Sequence, residues 1–273
     1  QLEEELHSRL IIRNTKSIEI TPRGWELYEC ACHILSLRDN LLQRWAGESR
    51  KIIRLGASTI PSAYILPELL PAYGKAHPDT YFSIHQSDSQ GIVDGLLQGN
   101  FDVGLVGMRC ADEALACIPF YQDRMVLITP VNEHFLALKA QGAFPVEALL
   151  GEAMILRENG SGSKKSADRF LESMGIRESE LQVIARINDQ EAIKNLVAQG
   201  LGISILSERA ARNFCEEKRL LGFELPESAA RRSLYLIYQK NYILKPYIQK
   251  FAEFVKRFYP SAEPEGAEPV KAR

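Results

Sequence analysis

The spacing of hydrophobic residues divides the chain into three parts. Residues 1–24 combine the apolar spacing of a helix end with two short extended stretches, 10–12 and 18–20, that predict a β-hairpin. Residues 25–46 carry apolar side chains every three or four positions and predict one long helix, whose heptad-like seam favours a dimerising coiled coil over a core helix. From Lys51 onward, short apolar strands alternate with amphipathic helices, which predicts a doubly wound α/β fold with a largely parallel sheet.

The composition is that of a folded protein without a strong charge bias. The 273 residues are 45% hydrophobic and 25% charged, which at about 150 residues per domain suggests two domains. No apolar run reaches the roughly 18 residues that a membrane helix needs. The net charge of −2 excludes DNA binding through an overall basic surface, so any contact with DNA must be local.

The two ends of the sequence add further expectations. The chain starts at Gln1 without a basic and apolar leader, from which we expect a cytoplasmic protein whose natural N-terminus has been cut off. Residues 260–273 are polar and rich in proline, and we expect them to form a disordered tail.

The sequence contains no recognisable catalytic or metal-binding motif. The five histidines lack metal-ligand spacing, residues 160–166 lack the glycine that a P-loop places before its lysine, and no nucleophile elbow occurs. We therefore expect no catalytic residues, no metal and no other cofactor, and we predict that the chain is not an enzyme. The cysteines are odd in number and scattered: Cys30, Cys32, Cys110, Cys117 and Cys215.

Short motifs follow one another in a fixed order along the chain. The first is a run made of Leu2-Glu3, Leu6, Leu10 and Arg13. The later motifs lie at residues 20–24, 53–56, 102–106, 160–162, 191–197 and 200–206. In this order and spacing they resemble those of LysR-type transcriptional regulators, over residues 1 to about 259. His7 and Ile11 depart from the family pattern, which usually has Gly and Phe there.

This resemblance implies the organisation of the chain. Residues 1–24 would retain the end of a recognition helix and the wing of a partial winged helix-turn-helix, and residues 25–48 would form a dimerising linker helix. Residues 49–259 would form an effector-binding domain with a periplasmic-binding-protein-like fold. In that domain the chain would cross twice between two subdomains, I (50–129 and 230–259) and II (130–229). The resemblance also implies a homodimer or tetramer.

Contacts with DNA are expected only at the start of the chain. Phosphate contacts position a protein without reading the base sequence, and the major-groove side chains that would read bases are missing here. We therefore predict poor sequence-specific binding by this chain, and binding to promoter DNA by the full-length protein. The residues expected to touch phosphates are Arg9, Arg13 and Lys16.

Small and hydroxyl-bearing residues occupy three strand-to-helix junctions, where open α/β sheets bind ligands. Helix N-termini favour anions, so we predict that a small anion or short polar acid, such as a sulfur oxyanion or a metabolite carboxylate, binds in a cleft between the subdomains. Arg109 would supply the counter-charge, although a solvated surface position is also open to it, and the hydroxyls would also serve as plain helix caps. The expected effector-binding residues are Ser58, Thr59, Ile60, Gly107, Met108, Arg109, Gly160, Ser161, Gly162, Ser163, Asp189 and Gln190.

The expected function is a ligand-responsive transcriptional regulator, in which the effector shifts a balance between two arrangements of the oligomer. Two alternatives stay open. Cys110 and Cys117 could pair across a polar loop if their Cα atoms came within about 7 Å, as in a redox-sensing regulator. A stand-alone solute-binding protein would share the effector-domain fold.

Overall fold

A β-hairpin and a long helix precede an α/β body in the computed structural model. The structure describes residues 2–13, 18–45, 51–142, 147–226 and 231–259. The first elements are helix α1 (Leu2–Glu5), strands β1 (Ile11–Arg13) and β2 (Ile18–Ile20), and helix α2 (Pro22–Trp45). The tail at 260–273 and Lys16 lie outside the described residues. No described helix has the length and apolarity needed to cross a membrane.

The hairpin and the start of α2 follow the sequence closely. Strands β1 and β2 pair antiparallel, with Ile11 opposite Ile20. The hydroxyl of Thr21 accepts a hydrogen bond of 3.0 Å from the backbone N–H of Gly24. Pro22 opens the helix, where its missing N–H costs no hydrogen bond. A Cβ on Gly24 would lie 2.3 Å from the carbonyl oxygen of Leu10, so glycine is required for the helix to approach the hairpin.

The α/β body opens with a parallel arrangement of three strands. These elements are β3 (Lys51–Ser58), α3 (Leu66–Ala76), β4 (Thr80–Ser87), α4 (Ser89–Leu97) and β5 (Val103–Val106). Strand β3 lies between β4 and β5 and is parallel to both. A π-helical turn at Pro61–Ile65 separates β3 from α3, and such turns often occur at functional sites.

The rest of the chain adds mixed strands and the remaining helices. In order they are β6 (Leu115–Thr129), α5 (Glu133–Ala140), α6 (Glu147–Gly151), β7 (Ala153–Arg157), α7 (Gly162–Ser173), β8 (Gln182–Ile187), α8 (Gln190–Ala198), β9 (Ser204–Ser207), α9 (Glu208–Glu216), β10 (Leu221–Glu224), β11 (Arg231–Gln239) and α10 (Pro246–Phe258). A 3₁₀ turn at Glu178–Glu180 precedes β8.

Strand β6 joins the two halves of the body and makes the sheet more antiparallel than the sequence predicts. Its first half pairs antiparallel with β11, and its second half pairs antiparallel with β9 and β10. The sheet order is β10-β6-β11-β5-β3-β4, while β7 and β8 form a separate parallel pair. The sequence predicts only the second half of β6 as a strand. The first half contains Pro119, which the sheet accommodates because the β6–β11 register shifts beside it.

Alternating side chains place a hydrophobic core on each face of the sheets. On β11, Leu234 and Leu236 enter one core, whereas Tyr235 and Ile237 enter another. On β6, residues 125 and 127 belong to a third core, and residues 126 and 128 to a fourth. Because helices cover both faces, each half is doubly wound, which confirms the predicted fold class. We call the half built on β3–β5 and α10 the first unit, and the half built on β7–β10 the second unit.

Candidate functional site

A polar cleft lies between the first and second units, where several strands end and helices begin. It encloses about 230 Å³ of empty space, including its opening to solvent. The first unit contributes the ends of β3 and β5 and the start of α4, and the second unit contributes the end of β7 and the starts of α7 and α8. The residues that line the cleft are Ser58, Thr59, Ile60, Asp88, Ser89, Gly107, Arg157, Ser161, Gly162, Ser163, Gln190 and Arg232.

Most of the residues predicted from the sequence meet in this cleft. Those that line it are Ser58, Thr59, Ile60, Gly107, Ser161, Gly162, Ser163 and Gln190. Met108 and Arg109 line instead a neighbouring pocket that shares Gly107 and Gly162 with the cleft. Gly160 precedes the cap of α7, and Asp189 is an exposed cap whose Oδ1 accepts a 2.9 Å hydrogen bond from the N–H of Glu191. The structure therefore does not bring Arg109 into the cleft as its counter-charge.

Three helix N-termini face the cleft. The hydroxyl of Ser161 caps α7 by accepting a 3.2 Å hydrogen bond from the N–H of Ser163. The Asp88 carboxylate caps α4 by accepting a 2.6 Å hydrogen bond from the N–H of Gly91. Gln190 is the first residue of α8 and is buried. Helix N-termini carry partial positive charge, so this arrangement favours an anion or an electronegative group.

Two buried arginines are the main features of the cleft that the sequence pattern does not predict. Arg232 is 1% exposed and donates through Nε and Nη2 to Oδ2 of Asp123, at 2.8 and 2.7 Å. Its Nη1 reaches across to the hydroxyl of Ser163 at 3.0 Å. The Asp123 carboxylate also accepts a 2.8 Å hydrogen bond from the Ser207 hydroxyl. This network ties the strands that connect the two units to the start of α7.

Arg157 is the second buried arginine and has hydrogen-bonding capacity left over. Its Nε and Nη2 donate to the two carboxylate oxygens of Glu158, both at 2.7 Å, and Nη2 lies 3.4 Å from the hydroxyl of Thr59. Within the part of the chain that the structure describes, its buried Nη1 has no hydrogen-bond partner, and neither has the buried side-chain amide of Gln190. Buried polar atoms are normally paired, so these groups suit a bound ligand.

A weak sequence signal exists for both arginines. Arg157 directly follows the apolar run of β7, and Arg232 stands at the start of the alternating strand β11. A charged residue at the end of a buried strand is typical of a site at the sheet edge. Asp123 offers no comparable signal, because it lies within a strand that the pattern does not predict.

A second set of polar contacts joins the two units beside the cleft. The Tyr64 hydroxyl, from the π-helical turn, donates to the Glu191 carboxylate at 2.9 Å. Lys194, which is 2% exposed, pairs with the same carboxylate at 2.6 Å and donates to the carbonyl oxygen of Ala210 at 2.9 Å. Burial and the Glu191 carboxylate raise the pKa of Tyr64, so its hydroxyl stays protonated and keeps donating. Arg209 and Glu68 form a further ion pair between the units.

The residues that the structure describes do not form a metal-binding site. Among them, no group of three or more histidine, cysteine, aspartate or glutamate side chains is placed to hold a metal ion. The cleft instead offers hydrogen-bond donors and acceptors fixed by surrounding ion pairs. Such a site can bind and orient a small polar molecule.

Comparisons with known proteins show which family the chain matches. The family described as LysR substrate binding domain matches residues 46–260. An uncharacterized HTH-type transcriptional regulator of Methanocaldococcus jannaschii is 31% identical over 260 residues, which cover 94% of this chain and 86% of the relative. Members of this family are transcriptional regulators and not enzymes, which confirms the expectation that the chain is not an enzyme.

Solved structures show the same fold. The CcmR regulatory domain of Synechocystis PCC6803, in complex with 2-PG, has a TM-score of 0.69 and 23% identity, and the match covers 77% of this chain and 98% of that one. The effector binding domain of QuiR, in complex with shikimate, has a TM-score of 0.68 and 21% identity with the same coverage. The family match and the archaeal relative confirm the resemblance seen in the motifs: this chain belongs to the LysR family of transcriptional regulators.

Proposed function

We propose that this chain controls transcription in response to a small anion that also carries a hydrogen-bond donor, bound in the cleft between the two units. The observation that carries the proposal is the pair of buried groups with unused hydrogen-bonding capacity, Nη1 of Arg157 and the amide of Gln190. An anionic oxygen would accept from Arg157, and hydrogen bonds to charged groups are the stronger ones.

The charges around the cleft further limit which class of ligand it can bind. Asp123 balances the charge of Arg232, and Glu158 balances that of Arg157. An anion would thus be held by directed donors and helix N-termini rather than by surplus positive charge. The Gln190 amide offers one donor group and one acceptor, and the Asp88 carboxylate is a further acceptor on the lining. A hydroxylated carboxylate therefore satisfies more of these groups than sulfate or thiosulfate does.

The relatives support a small-molecule cleft. Proteins of this fold have been solved with 2-PG and with shikimate. For the present chain, the chemistry of the ligand rests on Arg157, Gln190 and Asp88.

Removal of the Arg157 charge should weaken the response to the ligand. The probe is a thermal-shift panel of sulfate, thiosulfate, short carboxylates and short hydroxycarboxylates at millimolar concentration. A ligand at 100 times its Kd stabilises the fold by about 2.7 kcal/mol. At roughly 2–4 °C per kcal/mol that shift is easily measured. Arg157→Gln should weaken binding of the best compound roughly 10- to 100-fold, because it removes hydrogen bonds from a charged donor.

The matched control is Arg109→Gln, which makes the same change of charge at an exposed residue of the neighbouring pocket. It should leave the affinity unchanged. A panel in which no compound shifts the unfolding midpoint would contradict the proposed ligand class. Equal loss of affinity in the two variants would contradict the placement of the ligand in the cleft.

The mechanism we propose is a two-state switch. A ligand that bridges Arg157 of the second unit and the first-unit hydroxyls binds best when the units are close together, and only such a difference in affinity can shift a conformational balance. Closure would be transmitted through residues 25–48 to the DNA-binding region. The subdomain boundaries given above and the phosphate contacts of the exposed Arg9, of Arg13 and of Lys16 belong to this proposal.

Helix α2 carries the features of the dimer contact that the mechanism needs. Trp25, Tyr28 and Leu35 are large apolar residues on one side of this helix, with exposed fractions of 52%, 58% and 46%. Ile34, which is 60% exposed, lies on the adjoining side. An apolar strip on an exposed helix is costly to leave in water and marks an interaction surface. A second copy of the same helix would cover it through the heptad-like spacing.

Charged substitutions on this strip should dissociate the protein into monomers. Ile34→Glu combined with Leu35→Glu would bring four like charges into a two-helix contact. Size-exclusion chromatography with light scattering should give the mass of a dimer or tetramer for the parent chain and of a monomer for the variant. Glu26→Lys, at another exposed position of α2, should keep the parent mass. Retention of that mass by the double variant would show that α2 is not the dimer contact.

A further inference from the structure

The Cys110 thiol, in the loop between β5 and β6, lies beside the Cys117 thiol near the start of β6. The backbone N–H of Cys110 donates to Sγ of Cys117 at 3.3 Å, and the two side chains are hydrogen-bonded to each other. Both are half-buried against the core that contains Leu115 and Ile237. Cys117 is held in β6, opposite Ile237 of β11. The sulfur atoms are therefore adjacent without any movement of the sheet.

The surroundings give the two thiols different roles. Hydrogen bonds from the Cys110 side chain and backbone, together with the charge of Arg109, lower the pKa of Cys117 to about 7. The hydrogen bond to Cys117 and burial raise the pKa of Cys110. Lys165 favours ionisation of Cys110 and Asp112 opposes it. At neutral pH, about half of Cys117 is thus thiolate. Cys110 is the thiol that donates to it, which is the arrangement of a reactive and a resolving cysteine.

The other cysteines that the structure describes lack this arrangement. Cys30, Cys110, Cys117 and Cys215 are all free thiols. Cys215 is half-buried in α9, and burial raises its pKa. Cys30 is exposed on α2. Cys215 therefore serves as an internal reference for a half-buried thiol without activation.

We propose that Cys110 and Cys117 form a reversible thiol–disulfide switch that responds to hydroperoxides. The Cys117 thiolate attacks a peroxide oxygen, so that an S–O bond forms, the O–O bond breaks, and the released alkoxide or hydroxide takes a proton from water. The Cys117 sulfenic acid is then attacked by the sulfur of Cys110, which loses its proton. The S–O bond breaks, an S–S bond forms and water leaves. The two thiols give up two electrons, and the peroxide is reduced.

The position of the pair connects this chemistry to the cleft. Gly107, three residues before Cys110, lines the cleft, and a Cβ on Gly162 would lie 2.4 Å from its carbonyl oxygen. A disulfide would tether the segment that follows Gly107 to strand β6. Oxidation would thereby bias how closely the two units approach, independently of which effector binds.

The test is peptide mapping of the full chain after treatment with hydrogen peroxide at pH 7. We expect a disulfide between Cys110 and Cys117, the loss of two free thiols, and recovery of both with dithiothreitol. This measurement on the unsubstituted protein needs no variant. A chain in which both thiols stay reduced under peroxide that oxidises free cysteine would overturn the proposal, and so would oxidation that falls on Cys215 at the same rate.

Single substitutions test the separate roles, in a background where Cys30, Cys32 and Cys215 are serine. Cys110→Ser should stop the reaction at a sulfenic acid on Cys117, which dimedone traps, whereas Cys117→Ser should suppress the reaction. A thiol of pKa about 7 has roughly 15 times the thiolate of an ordinary cysteine at pH 7, and lower nucleophilicity offsets part of this gain. In the unsubstituted protein, Cys117 should thus react about threefold faster than Cys215, or more. Equal reactivity of the two serine variants would overturn the assignment of roles.

Discussion

Replacement of Asp123 by alanine should lower the free energy of unfolding by about 3–5 kcal/mol, the usual cost of leaving a buried charge without its partner. Asp123 and Arg232 are 2% and 1% exposed. The Asp123 carboxylate accepts from Nε and Nη2 of Arg232, from the hydroxyl of Ser207 and from the N–H of Arg124. Alanine supplies none of these acceptors, and the Arg232 charge stays buried without its partner.

Urea denaturation of the parent and variant chains measures this cost directly. Asp79→Ala removes the acid of an ion pair with Lys51 whose side chains are 53% and 45% exposed, and it should have a much smaller effect because water replaces the partner. The double variant Asp123→Leu with Arg232→Met should be more stable than Asp123→Ala, because it removes the buried charge as well as its partner. A midpoint of Asp123→Ala close to that of Asp79→Ala would contradict the burial argument.

The order of elements could be predicted from the sequence because it depends on local pattern. Spacing, helix caps or turn residues predict the hairpin, helix α2 and the strands β3, β5 and β7. They do not predict the first half of β6, since Pro119 and partly buried residues break its alternation. It pairs with β11, whose residues lie more than a hundred positions away in the sequence. A local pattern cannot predict such a pairing.

Some residues of the candidate site can likewise be predicted from local sequence, and others cannot. Ser58, Ser161 and Gln190 were predicted because each stands at a strand-to-helix junction, and junctions are visible in sequence. The sequence also predicts Arg109 as the counter-charge, because it follows the end of β5. In the structure that side chain is exposed, whereas Arg157 and Arg232 are buried at the cleft. Burial of an arginine depends on a partner such as Asp123, which lies 109 positions from Arg232, so the choice required the tertiary fold.

Substitution of Gly162 by alanine should hold the two units apart and weaken ligand binding. An added Cβ would lie 2.4 Å from the carbonyl oxygen of Gly107 and 2.6 Å from its carbonyl carbon. Both atoms belong to the backbone and have no rotamer by which to move away. Relief must come from separation of the units, at a cost of about 1–3 kcal/mol, which corresponds to roughly a 5- to 150-fold loss of affinity.

The second unit itself should stay folded in this variant, because alanine is favourable in the first turn of α7. Hydrogen–deuterium exchange should rise in peptides that span 105–109 and 157–163, and any stabilisation by the best compound of the panel should fall. Gly74→Ala is the matched control, since a Cβ there meets no atom within 4 Å. That change, inside α3, should stabilise the chain by about 0.5–1 kcal/mol and leave exchange at the cleft unaltered. If Gly162→Ala leaves both exchange and binding unchanged, the contact between Gly107 and Gly162 does not limit closure, and the switch must operate through the Tyr64–Glu191 and Arg209–Glu68 contacts beside the cleft.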